Sequence, residues 1–157
     1  MNQNIWKGIL AGAVAGLVGT AIKTVWEEVL PARPANRDSP PVVLADRVKE
    51  EAVGEDLTKA EKPVVEQSIH WVFGTGIGAL YGGAIEVLPQ AQKGLGSMLG
   101  TALYGVTHGS VLPMMNTEPW PLKQPLKFAT SEFAGHLIYG VVVEFTRRQV
   151  RGWLDTK

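Results

Sequence analysis

Residues 8–22 read GILAGAVAGLVGTAI, fifteen residues without a charge between Lys7 and Lys23. The apolar character extends over 5–29, which is the length of a membrane-spanning helix, because about 20 mostly apolar residues cross the hydrocarbon core of a bilayer. The stretch therefore predicts a transmembrane helix over 5–29. A cleavable signal peptide is the competing interpretation, but Lys7 is the one basic residue before the run and no small-residue cleavage site follows it.

Three more apolar segments follow, at 64–88, 94–115 and 126–150, separated by polar or proline-bearing breaks. The last of them is the weakest, since three charged residues interrupt it. We predict an all-α fold: a polytopic membrane protein with four transmembrane helices, arranged as two helical hairpins within a single membrane domain, 1–157. A soluble, glycine-rich helical bundle is the alternative.

The charges are unevenly distributed along the chain. Fifteen Lys and Arg balance fifteen Asp and Glu, so the net charge is zero and nucleic acid is not a predicted partner. There is no cysteine, which excludes disulfides, thiolate metal ligands and cysteine nucleophiles. The loop 31–62 holds six basic and seven acidic residues. Within it, apolar residues at helical spacing predict a short amphipathic helix over 42–54, on the membrane or bundle surface or as a solvated loop helix.

Glycine is the residue in excess, with 18 in 157 residues. In three of the predicted spans it recurs every four residues, and residues four apart share a helix face. Glycines on one face let two helix backbones approach closely, so we predict a glycine-packed bundle; a glycine-lined channel is the other interpretation. The predicted packing glycines are Gly8, Gly12, Gly16, Gly74, Gly78, Gly82, Gly96, Gly100, Gly135 and Gly140.

Ionisable residues also occur within the predicted spans. A charge at membrane depth costs about 2.5–3.5 kcal/mol, so such residues normally face the bundle interior, pair, or line a polar path. A glutamate precedes a histidine by four residues at Glu66 and His70 and again at Glu132 and His136, which suggests an internal duplication. The candidate buried polar or proton-path residues are Lys23, Glu66, His70, Glu86, His108, Glu132, His136 and Glu144.

Three interpretations of this set are open. In the first, each glutamate accepts a hydrogen bond from the histidine four residues later, and the pairs are structural. In the second, the carboxylates and histidines form a proton or cation path, because histidine titrates near neutral pH. In the third, His70 and His136 ligate a metal or haem. The chain shows no phosphate loop, catalytic triad or His-Glu-x-x-His motif, so we predict neither an enzyme nor a resident cofactor.

Several short motifs resemble the YagU-like family of bacterial inner-membrane proteins, a domain of unknown function. The most specific is Glu-x-x-Gly-His within an apolar helix, followed by Glu-x-x-Arg-Arg. The resemblance implies a polytopic inner-membrane protein, has been associated with acid tolerance, and supplies no catalytic residues. The stretches that carry it are Ala21-Ile22-Lys23, Trp26-Glu27-Glu28, Leu30-Pro31, Ala84-Ile85-Glu86-Val87-Leu88-Pro89, His108 with Pro113, Ser131-Glu132-Phe133-Ala134-Gly135-His136 and Glu144-Phe145-Thr146-Arg147-Arg148.

The number of spans and the charges beside them predict the topology. Four spans place both termini on one side, and Arg147, Arg148 and Arg151 after the last span favour the cytoplasm. We expect a multi-pass protein of the bacterial inner membrane that handles protons or cations in acid or envelope stress. The alternative is a non-enzymatic structural or partner-binding membrane subunit. The expected partners are the lipid bilayer and either a second copy of the chain or another membrane protein.

Overall fold

The computed structural model describes residues 4–156, and every regular element within them is helical, which confirms the all-α prediction. Two short 3-10 turns, Pro89–Gln92 and Pro121–Lys123, lie in the connections. The helices are α1 (Ile5–Val29), α2 (Pro40–Val53), α3 (Glu61–Val87), α4 (Ser97–Val106), a π-helical segment (Thr107–Val111), α5 (Leu112–Met114) and α6 (Leu126–Asp155).

Membrane-spanning character is strongest in α1. Among the residues that the structure describes, this is the one helix long and apolar enough to cross a membrane by length and composition. Helices α3 and α6 are long enough but less apolar than α1. The four predicted spans therefore stay a prediction.

The helices form two antiparallel pairs, and the contact between α1 and α6 joins one pair to the other. Helix α1 packs along α3, α4 packs against α6, and α1 packs against α6, so the order across the bundle is α3, α1, α6, α4. Lys7 near the start of α1 lies 3.8 Å from Asp155 at the end of α6. The two termini of the described chain therefore lie at the same end of the bundle, as an even number of passes requires.

Close backbone contact at glycines holds the first pair together. A Cβ added to Gly78 would lie 2.6 Å from the Cα of Gly16, and one added to Gly12 would lie 2.9 Å from the Cα of Gly82. A Cβ at Gly100 or Gly140 would meet the backbone of the facing helix in the α4–α6 pair in the same way. No side chain fits at these crossings, so van der Waals contact between backbones replaces side-chain packing.

Three packing glycines differ from the expected arrangement. A Cβ added to Gly74 would meet the side chain of Thr20 rather than a helix backbone. Gly96 lies in a turn, not within a helix, although it still approaches the α6 backbone at Gly140. Gly135 faces the indole ring of Trp26 on α1 rather than a helix backbone. The glycine pattern thus marks positions of close approach, while the partner of each glycine depends on where the helices cross.

The third predicted span, 94–115, is not one regular helix. Gly94, Leu95 and Gly96 have φ angles of 78°, 53° and 88°, a left-handed turn that a right-handed helix cannot continue. The helix therefore begins at Ser97. It widens into the π-helical segment before α5, which places one additional residue in that turn.

Two other boundaries have local causes. Helix α3 begins three residues before the predicted 64 because Thr58 and Glu61 form a capping box: the Thr58 N–H donates to Glu61 at 2.7 Å, and the Glu61 N–H donates to the Thr58 hydroxyl at 3.3 Å. The backbone and hydroxyl of Thr58, followed by the Lys49 ammonium, lower the pKa of Glu61 to about 2. Helix α2 is amphipathic in its first half, where Val42 is buried, whereas Val48 and Val53 are exposed.

Candidate functional site

A cavity of about 300 Å³ lies inside the bundle, between α1, α3, the π-helical segment and α6, with the start of α2 at one side. Most of its wall is apolar, from residues such as Phe73, Leu103 and Leu112. Its polar wall is concentrated in one region. The ionisable residues that line the cavity are Lys23, Glu27, Arg33, His70, His108, Glu132 and His136.

Glu132 is the centre of the polar wall. Its Oε1 atom lies 3.1 Å from Nζ of Lys23, 3.4 Å from Nε2 of His108 and 3.3 Å from Nδ1 of His136. Lys23 also forms an ion pair with Glu27, one turn further along α1. The glutamate is 8% exposed, so this buried carboxylate collects nitrogen atoms from three separate segments of the chain.

The two histidines beside Glu132 are held in fixed orientations. Nδ1 of His136 lies 2.9 Å from the backbone carbonyl of Glu132, one turn earlier in α6. Nδ1 of His108 lies 2.7 Å from Oε1 of Glu118, in a close contact that is not a linear hydrogen bond, and both atoms are buried without another partner among residues 4–156. The ring of Tyr104 packs against both imidazoles, which lie 5.0 Å apart between centroids.

The first glutamate and histidine pair is arranged differently. Glu66 forms an ion pair with Arg33 from the charged loop, not with His70. A guanidinium makes charge-assisted hydrogen bonds to a carboxylate, which are stronger than those of a neutral imidazole. His70 lines the cavity and has no hydrogen bond or ion pair within the described part of the chain. The duplicated sequence pattern therefore gives two different local structures.

Glu86 and Glu144 lie at the opposite end of the bundle, away from the cavity. Glu86 accepts from the Arg151 guanidinium at 2.6 and 3.1 Å and from the Asn4 N–H at 3.0 Å. Glu144 accepts from Arg147 at 2.8 and 2.9 Å, and all three of Glu86, Glu144 and Arg147 are buried. These two glutamates are fully occupied by arginines, which makes them structural ion pairs rather than members of the cavity site.

Sequence reasoning did not single out Glu118, because it lies in a polar loop with no periodic pattern. Arg33 is one of the six basic residues of the loop 31–62 and Glu27 lies near the end of the first predicted span, but both line the cavity. Within 4–156, the donor atoms that cluster are those of His108, Glu132 and His136, which lie within 4.8 Å of one another. His70 is not in this cluster, and a metal or haem held by His70 and His136, one of the three interpretations of the sequence, stays a prediction.

The formal charges on the cavity wall balance when the histidines are neutral. Two cationic groups, Lys23 and Arg33, and two carboxylates, Glu27 and Glu132, line it. Two further carboxylates lie just outside this lining: Glu66 pairs with Arg33, and Glu118 contacts His108. Isolated charge is costly in such a region, so each of these groups has a partner.

The fold and the site define an all-helical protein with a mainly apolar cavity in its bundle, whose polar wall is centred on Glu132. The family model of proteins of unknown function DUF1440 matches residues 17–145, so the chain belongs to this family, which is consistent with the resemblance to YagU-like proteins. The matched region includes every cavity residue named above. No curated protein and no solved structure matches the chain.

Proposed function

We propose that the protein is a multi-pass membrane protein with four spans, formed by α1, α3, the segment from α4 to α5, and α6. Large apolar side chains are exposed on each of them, including Leu10, Leu80, Val106 and Phe145, which are 55%, 71%, 59% and 66% exposed. A water-soluble bundle would turn such side chains inward. Three glutamates within α3 and α6, Glu86, Glu132 and Glu144, are buried inside the bundle instead, as membrane helices require.

We further propose that both termini face the cytoplasm of a bacterial cell and that the protein lies in the inner membrane. The end of the bundle that holds the termini also holds Lys7, Lys93, Arg147, Arg148 and Arg151. Basic residues beside spans favour the cytoplasmic side. In this topology the cavity lies toward the outer face of the membrane.

The function that the cavity supports best is the handling of protons or cations. The observation that carries this proposal is Glu132, a buried carboxylate on the cavity wall whose Oε1 atom lies within 3.4 Å of nitrogen atoms of Lys23, His108 and His136. Buried charge is stable only when it is paired, so the site attracts positive charge from its surroundings. The link to acid or envelope stress comes from the resemblance to YagU-like proteins and is part of the same proposal.

Reconstitution tests this function. Full-length protein in liposomes that contain a pH-sensitive dye is expected to transmit protons or divalent cations faster than empty liposomes. Glu27→Gln removes one cavity carboxylate and is expected to lower the rate at least about fivefold, because it removes part of the attraction for cations. The matched control is Glu28→Gln, the exposed neighbour in the same helix, which is expected to leave the rate within about twofold.

Two outcomes contradict the proposal. The first is a wild-type rate equal to that of empty liposomes for protons and for divalent cations alike. The second is an equal loss of rate in the Glu27 and Glu28 variants, because such a loss would depend on surface charge rather than on the cavity.

A structural or partner-binding membrane subunit is the second candidate. The observation that favours it is that a Cβ added to Gly76 or Gly105 would meet nothing within 4 Å, so these helix faces have room for another helix. The partner is a second copy of the chain or another membrane protein. Co-purification of a stoichiometric partner in mild detergent, lost in Gly105→Leu and without cation flux, is the result that favours this function over the first.

A further inference from the structure

The imidazole of His108 lies between two carboxylates on the polar wall of the cavity. Its Nδ1 atom lies 2.7 Å from Oε1 of Glu118, in a contact without hydrogen-bond geometry, and its Nε2 atom lies 3.4 Å from Oε1 of Glu132. A neutral imidazole has one N–H, so its other nitrogen presents a lone pair to a carboxylate oxygen. A cation between that nitrogen and that oxygen, either a proton or a metal ion, removes the repulsion.

We propose that His108, Glu132 and His136 form a binding site for one divalent transition-metal ion. This inference rests on the proposed cation handling and names the cation. One donor atom from each residue lies within 4.8 Å of the others, close enough for a single ion to contact all three after small side-chain movements.

Each of the two histidines has an oxygen atom beside its Nδ1. A metal-binding histidine normally donates its other ring N–H to a carboxylate or a backbone carbonyl, which fixes the ring and its tautomer. Oε1 of Glu118 lies 2.7 Å from Nδ1 of His108, without hydrogen-bond geometry, and the backbone carbonyl of Glu132 lies 2.9 Å from Nδ1 of His136. These oxygens are the groups that would accept the second N–H when Nε2 binds the metal. His70 has no such partner among residues 4–156, and in this it differs from His108 and His136.

The backbone that carries His108 is not a regular α-helix. His108 lies on the π-helical segment Thr107–Val111, and π-helical turns inside α-helices occur frequently at functional sites. The hydroxyl of Ser110 donates to the carbonyls of Gly105 and Val106, and that of Thr107 donates to Leu103, which satisfies backbone groups released by the wider turn. The segment therefore holds His108 in a position that it would not have in a regular α-helix.

The donor set limits the kind of metal. Two imidazoles and one carboxylate suit Zn²⁺, Co²⁺, Ni²⁺, Mn²⁺ or Fe²⁺, and three protein ligands leave a position open toward the cavity. The chain has no cysteine, so thiolate-dependent sites for soft ions are excluded. Lys23 contacts Glu132 directly, and its second partner, Glu27, keeps it paired when the metal binds.

Metal titration of the purified full-length protein in detergent tests the site. Co²⁺ is the probe, because its visible absorption reports coordination by nitrogen and oxygen, and elemental analysis gives the stoichiometry. We expect one Co²⁺ per chain, displaced by Zn²⁺. His108→Ala, His136→Ala and Glu132→Gln are each expected to weaken binding at least about 100-fold, and Glu118→Gln about 10- to 100-fold.

Two variants separate the metal site from a general effect on folding. His70→Ala removes a histidine from the same cavity and is expected to leave affinity within about threefold. Lys23→Met removes the competing ammonium beside Glu132 and is expected to tighten binding about tenfold, a gain that a misfolded protein cannot give.

The outcomes also separate this inference from the proposed function. Absence of stoichiometric Co²⁺ binding by the wild-type protein overturns the metal site, and so does binding that is lost in His70→Ala but kept in His108→Ala. Proton flux without metal binding leaves cation handling in place and removes the metal. Metal binding without any flux leaves the site in place and removes the transport function.

Discussion

Replacement of Gly78 by alanine is expected to lower the free energy of unfolding by about 1–3 kcal/mol, the usual cost of adding an atom to a closely packed interior. The new Cβ would lie 2.6 Å from Cα and 2.8 Å from N of Gly16, so α1 and α3 would have to separate. Both partners are backbone atoms, which cannot turn aside as a flexible side chain can. Unfolding by SDS titration in detergent, followed by circular dichroism, measures the change.

Gly76 provides the matched control for Gly78. It lies two residues earlier in the same helix, and an added Cβ would meet nothing within 4 Å. Gly76→Ala is therefore expected to leave stability unchanged or to raise it by up to about 1 kcal/mol, because alanine favours the helix more than glycine does. Equal losses in the two variants would contradict the view that backbone contact at these glycines holds α1 to α3.

Glu144→Ala is expected to destabilise the protein by about 3–5 kcal/mol, the cost of removing one partner from a buried ion pair. The carboxylate accepts from Arg147 at 2.8 and 2.9 Å and from the hydroxyl of Tyr81 at 3.0 Å, and Arg147 is only 2% exposed. The arginine cannot reach water without disturbing the end of the bundle. The same SDS titration measures the loss.

The double variant Glu144→Leu/Arg147→Leu shows whether the loss of stability comes from the unpaired charge of Arg147 or from the lost packing of the Glu144 side chain. It removes both charges, so it is expected to recover at least about half of the loss. Glu66→Ala breaks the more exposed pair with Arg33 and is expected to cost no more than about 1 kcal/mol. A loss at Glu144 as small as that at Glu66 would mean that the ion pairs at this end contribute little to stability.

The bundle contains two separate polar regions. At the end that holds the termini, Glu86 and Glu144 are paired with arginines, and their role is structural. On the cavity wall, Glu132 faces two histidines as well as Lys23. The sequence placed Glu86, Glu132 and Glu144 in one candidate set, because each is a carboxylate within an apolar helix. Their partners differ: Glu144 pairs with arginines of its own helix, Glu86 with Arg151 of α6, and Glu132 with nitrogen atoms from three segments.

The sequence by itself determined the helices and where they approach one another. Uncharged runs such as 8–22 predict long apolar helices, and glycines four residues apart mark one face of each, since both patterns depend only on the geometry of a single helix. The capping box before α3 and the left-handed turn at 94–96 changed the boundaries by three residues each. Those details depend on local backbone geometry, which hydropathy does not describe.

Only the tertiary structure decided which residues meet. The spacing of Glu66 and His70 matches that of Glu132 and His136. Glu66 nevertheless forms an ion pair with Arg33. Glu132 contacts His108, which lies on the wider turn at Thr107–Val111. Contacts between helices depend on their crossing and rotation and on loop residues such as Glu118, and helical periodicity describes none of these. Sequence therefore gave the candidate residues, and the packing of α1, the π-helical segment and α6 selected those that form the site.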